Sequence, residues 1–323
     1  MEERTLGEIL SDPRISRIAP DAIRKRDLTQ DEMWNKTLKQ LREEHFGGEL
    51  REGFERLFAA AETGEWYYPL YSGEECAEDA ERKGVSLVWL PSPDSRADER
   101  PHILLVPGGG FVNVWNLTEW WPVAAQFNRL GYHVFILTYQ VDSPAAQLDR
   151  DLGDFARARK RIRSDASKFR VDPDRYITCG FSAGGYLICL WNTKMGYPAF
   201  ELPRPQASFP VYPVVSMKND GEEADPGDAL WLFGCPHEEA MQKEYEIPEH
   251  TETFPPCAIF LAAGDELVDP ENSKMLDRAL KALSIPSRLE IGPDGGHGFA
   301  DGSGMCMAGW TERAVKWFES LQK

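Results

Sequence analysis

The sequence has no apolar run long enough to cross a membrane, and it begins with neither the basic nor the apolar segment of a secretory signal. It also has no excess of positive charge: 36 Lys and Arg stand against 53 Asp and Glu, for a net charge of −17 at pH 7. A chain this acidic is not expected to bind nucleic acid or an anionic membrane. Together these absences predict a soluble, cytoplasmic protein.

The six cysteines form no Cys-x-x-Cys pair, and most of them lie in apolar stretches typical of strands or helices. This scattered placement predicts reduced core cysteines rather than disulfides or a metal site. The apolar content of 42% is ordinary for a globular protein, and 323 residues are enough to bury a sizeable core.

From residue 85 onward, apolar strand-like segments alternate with helical ones. This alternation predicts an α/β fold with a doubly wound, mostly parallel sheet. Ser143 and Pro144 predict the start of one helix, and the stretch 91–98 indicates a hairpin connection inside the domain. The predicted strands are 85–90, 102–106, 133–139, 175–179, 208–215, 257–262 and 287–291, and the predicted helices are about 117–130, 144–168, 183–195, 271–284 and 309–322.

Residues 1–84 are predicted to form a helical N-terminal extension to a main domain over residues 85–323. Thr29 and Glu32 resemble a capping box that opens one helix. Apolar residues at helical spacing predict a second helix over about residues 50–63. Because the insertion between residues 216 and 256 is short, we expect any cap over the site to come largely from the helices of this extension.

An aromatic cluster at residues 66–71 has no clear period. It is interpreted either as packing between the extension and the main domain or as one wall of a substrate cleft, where exposed rings stack on sugars or bury apolar groups. The pattern favours packing.

Ser182 lies between a predicted strand and a predicted helix, in the segment Gly-Phe-Ser-Ala-Gly of residues 180–184. A Gly-x-Ser-x-Gly in that place is typical of a nucleophile elbow, a strained turn that exposes the serine hydroxyl. Side chains at positions 180 and 184 would collide with the neighbouring strand and helix, which explains both glycines. The alternative is that Ser182 only caps the helix, but a cap does not need glycine on both sides.

Three consecutive glycines, at positions 108–110, follow the predicted strand 102–106. Such a loop leaves backbone N–H groups uncovered, so those of Gly109, Gly110 and Ala183 are predicted to form an oxyanion hole. The alternatives are a flexible turn or a phosphate-binding loop. The latter normally has a helix directly after the glycines, and none is predicted here.

An acid and then a histidine should follow the serine along the chain. Asp265 and Asp269 both lie directly beyond a predicted strand, but Asp269 precedes Pro270 in the pattern of a helix N-cap. Asp265 is therefore the predicted triad acid. His297 is the only histidine beyond residue 250, in a glycine-flanked loop that suits a general base. The candidate pocket residues, each of which could equally belong to the core, are Phe111, Trp115, Tyr186, Trp231 and Phe233.

These motifs resemble the α/β-hydrolase superfamily, and within it the hormone-sensitive-lipase-like esterases and their acetylxylan-esterase-like relatives. The resemblance spans about residues 85–323 and rests on Pro107 to Phe111, Leu137-Thr138-Tyr139, Val171 to Arg175, Gly180 to Gly185, Asp265 to Ser273 and Gly296 to Phe299. Lipase-type members carry His where this chain has Pro107, so the loop is more similar to the carbohydrate-esterase branch and lacks a side chain that would brace it.

The resemblance implies a serine carboxylester hydrolase that forms an acyl-enzyme and needs no metal or organic cofactor. Its implied substrates are small-molecule or oligosaccharide esters of a short acyl group such as acetyl. Whether the chain forms a homo-oligomer stays open.

Two alternatives remain. A peptidase or amidase of the prolyl-oligopeptidase type shares the fold and the triad order, but those enzymes usually carry a bulky aromatic residue where Ala183 lies, and a separate propeller domain. A small-molecule-binding protein on a hydrolase scaffold typically lacks a triad member, whereas this chain has candidates for all three.

Overall fold

The computed structural model describes residues 1–19, 32–44, 49–216, 226–240 and 245–323. In this part of the chain, eight strands form one mixed sheet. The strands are β1 (Tyr67–Pro69), β2 (Ser86–Leu90), β3 (His102–Val106), β4 (Val134–Thr138), β5 (Tyr176–Phe181), β6 (Ala207–Val211), β7 (Cys257–Ala262) and β8 (Ser287–Gly292). Their order is β1-β2-β4-β3-β5-β6-β7-β8, in which β2 pairs antiparallel with β1 and β4 and the remaining neighbours are parallel.

The α-helices are α1 (Leu6–Leu10), α2 (Leu38–Glu43), α3 (Leu50–Thr63), α4 (Gly73–Glu78), α5 (Asn116–Glu119), α6 (Trp121–Arg129), α7 (Gln147–Ser164), α8 (Ala166–Phe169), α9 (Ser182–Trp191), α10 (Pro226–Phe233), α11 (His237–Ala240), α12 (Glu271–Ala282) and α13 (Trp310–Ser320). Short 3₁₀ turns cover Ser16–Ile18, Glu32–Asn35, Ala80–Gly84, Ala97–Glu99 and Ile247–Glu249. Helix α6 contacts α3, α13 and β4, while α9 contacts α7, β5 and β6.

The core lies on both sides of the central strands. Every residue of β3 to β7 is buried. Because successive side chains of a strand point to opposite faces, such strands are buried only where both faces are covered. This explains why they are mostly apolar in sequence, and it confirms the expected α/β class with a mostly parallel sheet.

The seven predicted strands correspond to β2 through β8. The strand predicted over 208–215 is shorter than expected and ends at Val211, because Tyr212 has a φ of +37° and leaves the extended conformation. This turn places Tyr212 near the site described below.

The sheet begins before the predicted boundary at residue 85, since β1 lies in the aromatic stretch and pairs with β2. Trp66 and Tyr68 are buried, and the Tyr68 ring meets that of Phe169 edge-on at 5.2 Å. The packing interpretation of this stretch therefore describes it better than a cleft wall. The domain boundary itself stays a prediction.

Two local predictions are wrong. The segment 91–98 is not a hairpin connection, because it leads from β2 to β3 and β4 lies between these strands in the sheet. Ser143 does not cap a helix: α7 begins only at Gln147, after Ala146 takes a left-handed conformation with φ +53°.

The first predicted N-terminal helix is interrupted. Thr29 lies outside the described residues, Glu32–Asn35 forms a 3₁₀ turn, and α2 begins only after Thr37, whose capping box with Gln40 starts a new helix. The second predicted helix is confirmed as α3.

The six cysteines, all within the described ranges, form no disulfide, and Cys179, Cys189, Cys235 and Cys257 are buried as predicted. Cys76 and Cys306 are only half-buried. None of the helices in the described ranges has the length and apolar character needed to span a membrane.

Candidate active site

Ser182, Asp265 and His297 follow the carboxyl ends of β5, β7 and β8, on one edge of the sheet. Ser182 Oγ lies 2.9 Å from His297 Nε2, and His297 Nδ1 lies 2.7 Å from Asp265 Oδ2. The structure therefore places the imidazole between a hydroxyl and a carboxylate. This order of partners is the one that removal of a serine proton requires.

Ser182 occupies a strained turn at the junction of β5 and α9. Its φ of +49° lies in the left-handed region, which costs a non-glycine residue about 1–2 kcal/mol. Phe181, not Ser182, occupies the N-cap position of α9, and the Ser182 hydroxyl is bonded to His297 instead, so the helix-cap alternative is wrong. A Cβ on Gly180 would lie 2.4 Å from Gly184 O, and one on Gly184 would lie 2.1 Å from Pro107 O. The collisions predicted for side chains at both glycine positions are confirmed.

The two candidate acids have different partners. Asp265 has a side chain that is 2% exposed, and its Oδ1 accepts the backbone N–H groups of Leu267 at 3.0 Å and Val268 at 2.9 Å. These two bonds leave Oδ2 facing the imidazole. Asp269 instead accepts the N–H of Glu271 at 2.8 Å, at the start of α12.

The glycine loop presents backbone donors to the same site. Gly109 and Gly110 have φ values of +128° and +63°, and a Cβ on Gly109 would lie 2.2 Å from Asn113 O. Neither glycine N–H has a backbone acceptor in the described part of the chain. Ala183 lies in the first turn of α9, where N–H groups have no intrahelical acceptor. These donors can therefore meet an oxygen that enters the site.

Neighbouring groups brace the loop although Pro107 has no side-chain donor. The Tyr139 hydroxyl donates to Pro107 O at 2.9 Å, and the Trp115 N–H donates to Gly108 O at 2.9 Å. The Gly108 N–H donates to Glu119 Oε2 at 2.6 Å. The peptide group between Pro107 and Gly108 is thus held through both its carbonyl and its N–H, and the next peptide group, which carries the Gly109 N–H, is held through its carbonyl oxygen.

Glu119 is a residue of this site that the sequence analysis missed. It is 4% exposed, and burial raises the pKa of its carboxyl to about 7, against the opposing effect of hydrogen bonds from Gly108 N–H and the Tyr212 hydroxyl. The Tyr212 ring lies with its centroid 4.7 Å from that of His297. The only sequence signal for Glu119 was an acidic residue within the apolar segment 114–125.

A cavity of 810 Å³ opens onto these groups, and we call it the Ser182 cavity. It is lined by Glu44, Gly109, Gly110, Phe111, Asn113, Trp115, Thr118, Glu119, Ser182, Ala183, Val214, Trp231, Leu232, Leu267, Val268, His297 and Gly298. Three of the predicted pocket residues, Phe111, Trp115 and Trp231, are among them. The other lining residues come mainly from loops, which carry no periodic sequence pattern.

Tyr186 and Phe233, the other two predicted pocket residues, do not line the Ser182 cavity. Tyr186 is fully buried on α9, and its hydroxyl donates to Tyr245 O at 2.6 Å. The Phe233 ring packs against that of Tyr245 at a centroid distance of 4.9 Å. Both belong to the core, the alternative that the sequence left open for each.

The N-terminal extension reaches the Ser182 cavity through Glu44, which follows α2. Glu44 is exposed and forms an ion pair with Lys36, whose Nζ lies 2.6 Å from Glu44 Oε2. The extension therefore supplies part of the cavity wall.

Comparison with known proteins gives related sequences. The BD-FAE family model matches residues 89–280. "Endo-1,4-beta-xylanase B" of Butyrivibrio fibrisolvens is 28% identical over 226 residues, which cover 66% of this chain and 34% of that protein. "Acetylxylan esterase" of Xylanibacter ruminicola is 27% identical over 234 residues, which cover 68% of this chain and 45% of that protein. The chain spans less than half the length of either curated relative.

A solved structure is similar over nearly its whole length. The acetyl ester-xyloside bifunctional hydrolase from Caldicellulosiruptor lactoaceticus superposes with a TM-score of 0.65 at 28% identity, covering 79% of this chain and 96% of that one. With the strand order above, this likeness confirms the expected α/β-hydrolase fold.

Proposed function

Since the chain belongs to the BD-FAE family, we propose that it is a serine carboxylester hydrolase that forms an acyl-enzyme. We propose short-chain esters, acetyl esters of carbohydrates among them, as its substrates. The observation that carries the proposal is the hydrogen-bond chain from Ser182 Oγ through the His297 imidazole to Asp265 Oδ2.

In the proposed reaction, Ser182 Oγ attacks the ester carbonyl while His297 Nε2 takes its proton. Asp265 keeps the other imidazole proton on Nδ1 and stabilises the imidazolium. The imidazolium then gives its proton to the departing alcohol, which leaves the acyl group on Ser182. Water, activated by the same imidazole, releases the acid and restores the serine.

The negative charge that develops on the carbonyl oxygen would be held by the N–H groups of Gly109, Gly110 and Ala183. Donors fixed by the surrounding fold need no reorganisation during the reaction, and loss of one costs on the order of 3 kcal/mol in comparable enzymes. The bracing at Pro107 and Gly108 supports this role, because it limits movement of the donors that follow.

The substrate class is supported by the relatives and by the cavity. One relative is named as an acetylxylan esterase, and the solved neighbour as an acetyl ester-xyloside hydrolase. The 810 Å³ volume is larger than an acetyl group needs, which leaves room for an alcohol such as a sugar. The partly buried rings of Trp115 and Trp231 are flat surfaces on which a sugar ring can stack.

The test is release of p-nitrophenol from acetyl, butyryl and octanoyl esters by the wild type and by Ser182→Ala. We expect turnover that prefers acetyl and falls at least 10³-fold in the variant. Ser164→Ala, at an exposed serine on α7, is the matched control and should keep wild-type activity. Activity that survives in Ser182→Ala would remove Ser182 from the mechanism. A folded wild type that cleaves p-nitroanilides but none of the esters would favour an amidase.

A further inference from the structure

Glu119 is a buried acid without a cationic partner. Among the described residues, the charged or titratable groups that act on it are the Tyr212 hydroxyl beyond β6 and the Cys179 thiol in β5, and no Lys or Arg does. A buried carboxyl is costly unless hydrogen bonds satisfy it. Here both oxygens are used: Oε2 accepts from Gly108 N–H at 2.6 Å and Oε1 accepts from the Tyr212 hydroxyl at 3.0 Å.

These two bonds connect the proposed oxyanion loop to the residues around the proposed general base. Gly108 immediately precedes the predicted oxyanion donors, and the Tyr212 ring packs against the imidazole of His297. The Tyr212 ring also meets Phe299, two residues beyond His297, edge-on at 4.8 Å. The Glu119 carboxyl therefore links the glycine loop to Tyr212, the residue that packs against the proposed general base His297.

We propose that Glu119 is a positioning residue that acts in its carboxylate form, holding the glycine loop and Tyr212 in the arrangement the hydrolysis needs. This inference rests on the proposed function. Glu119 touches Gly108 rather than the reacting atoms, so it acts through the loop.

The loop has little freedom at Gly108, which makes its anchoring important. A Cβ at this position would lie 2.9 Å from both Phe181 O and Ser182 Cβ, and 3.1 Å from Glu119 Oε2. A shift of the Gly108 peptide therefore either collides with the nucleophile turn or draws the following donors away from the carbonyl oxygen. A charge-assisted bond to Gly108 N–H is about twice as strong as a neutral one and resists this shift.

The charge itself acts in two opposite directions. Glu119 Oε2 lies within about 6 Å of Ser182 Cβ, close enough to repel the oxyanion. The same charge attracts the imidazolium, which forms on His297 in the same step. Because these effects oppose each other, we expect the geometric effect on the loop to dominate.

Protonation of Glu119 should loosen this arrangement. When Oε1 is protonated, its bond with the Tyr212 hydroxyl reverses direction, and Oε2 becomes a neutral acceptor for Gly108 N–H, so the charge-assisted bond that holds the loop is lost. Burial raises the pKa of Glu119 to about 7 and holds those of Tyr212 and Cys179 well above their ordinary values. Glu119 therefore changes charge near neutral pH, while Tyr212 and Cys179 stay neutral.

The experiment is the pH profile of kcat/KM for p-nitrophenyl acetate from pH 5.5 to 8.5, measured for the wild type and Glu119→Gln. Full activity requires the Glu119 carboxylate, and the pKa of Glu119 is raised to about 7, so the logarithmic acid limb of the wild type should be steeper near pH 7 than that of the variant. Glu119→Gln keeps an acceptor for Gly108 but cannot ionise, so this extra pH dependence should be absent from its profile. We expect wild type to exceed this variant on the order of tenfold at pH 8, mainly in kcat, with the ratio falling as the pH drops through about 7.

Two further variants distinguish a positioning role of Glu119 from a general effect on protein stability. Tyr212→Phe removes a hydrogen bond that lowers the pKa of Glu119, so its acid limb should move to higher pH. Glu246→Gln changes another buried glutamate, one that does not line the Ser182 cavity, and should leave the profile unchanged. A Glu119→Gln profile that keeps the wild-type slope, or a variant faster than wild type at pH 8, would overturn the proposal.

The same variants are labelled with diethyl p-nitrophenyl phosphate, a reagent that modifies an activated serine whatever its natural ester. If the wild type is labelled at Ser182 but hydrolyses none of the esters, the substrate proposal fails and the labelling rate still tests Glu119. Labelling with the same pH dependence in wild type and Glu119→Gln would refute the positioning role alone.

Discussion

Replacing Asp265 by Asn is the most direct test of His297 as the general base, because the structure dictates how the new amide must lie. Oδ1 accepts two backbone N–H groups, from Leu267 and Val268, so the amide oxygen of Asn has to occupy that position. The NH₂ group then faces His297 Nδ1 and donates to it. The ring must carry its proton on Nε2, where it points at Ser182 Oγ and cannot accept the serine proton.

The expected loss follows from this wrong tautomer. In serine hydrolases with the same arrangement, an Asp to Asn change lowers kcat about 10⁴-fold, which corresponds to roughly 5.5 kcal/mol in the activation barrier. Since the side chain is 2% exposed, solvent offers little relief through an alternative partner. KM should change little, because the substituted atom does not face the cavity.

The measurement is steady-state hydrolysis of p-nitrophenyl acetate by Asp265→Asn, with the melting temperature recorded to exclude unfolding. Asp269→Asn is the matched control: it changes the neighbouring candidate acid, which contacts the N-terminus of α12. We expect wild-type kcat for this control and a loss of at most about 1 kcal/mol in stability. Less than a tenfold loss of kcat in Asp265→Asn, or an equal loss in both variants, would show that the triad assignment is wrong.

Two predictions concern the fold around the site. Gly184→Ala would put a methyl group 2.1 Å from Pro107 O, a backbone atom that cannot move without distorting the loop, so we expect a loss of more than about 3 kcal/mol in unfolding free energy; a melting temperature equal to wild type contradicts this. His102 is fully buried, and its pKa is lowered well below 6.5 by burial and by the charge of Arg159, whose Nη1 lies 2.6 Å from Nε2. The folded state keeps this ring neutral whereas the unfolded chain takes up a proton near pH 6.5, so the contribution of His102 to stability should fall by about 1.4 kcal/mol per pH unit below that pH. Urea unfolding of wild type and His102→Asn at pH 7.5 and 5.5 isolates this contribution, because the opposite contribution of Glu119, whose pKa is raised, is common to both proteins. The same change in stability between the two pH values in both proteins would contradict the assignment.

Much of the fold could be predicted because its signals are local. The central strands are mostly apolar because both faces are covered, and that pattern is visible without knowing any neighbour. The wrong predictions concern segments whose structure depends on residues that are distant in the sequence. Residues 91–98 look like a hairpin connection, but β4, formed some 40 residues further along the chain, takes the place beside β2.

The candidate site divides in the same way. The elbow glycines at 180 and 184, the glycine loop and the order serine, acid, histidine are properties of short segments, so the sequence alone identified the candidate residues of the site. Asp265 could be separated from Asp269 because a cap has its own local pattern. Tyr186 and Phe233 could not be separated from pocket residues, since an aromatic ring on a helix has the same pattern whether it faces a cavity or the core.

Only the tertiary structure decided the role of Glu119. Its partners lie 11 and 93 residues away, at Gly108 and Tyr212, and no spacing rule relates them. Whether a glutamate is exposed and ordinary or buried and titrating near pH 7 depends on the groups packed around it, because burial and hydrogen bonding set the relative free energies of its two protonation states. The sequence alone determined which functional groups the candidate site contains, and tertiary packing determined their relative positions and charge states.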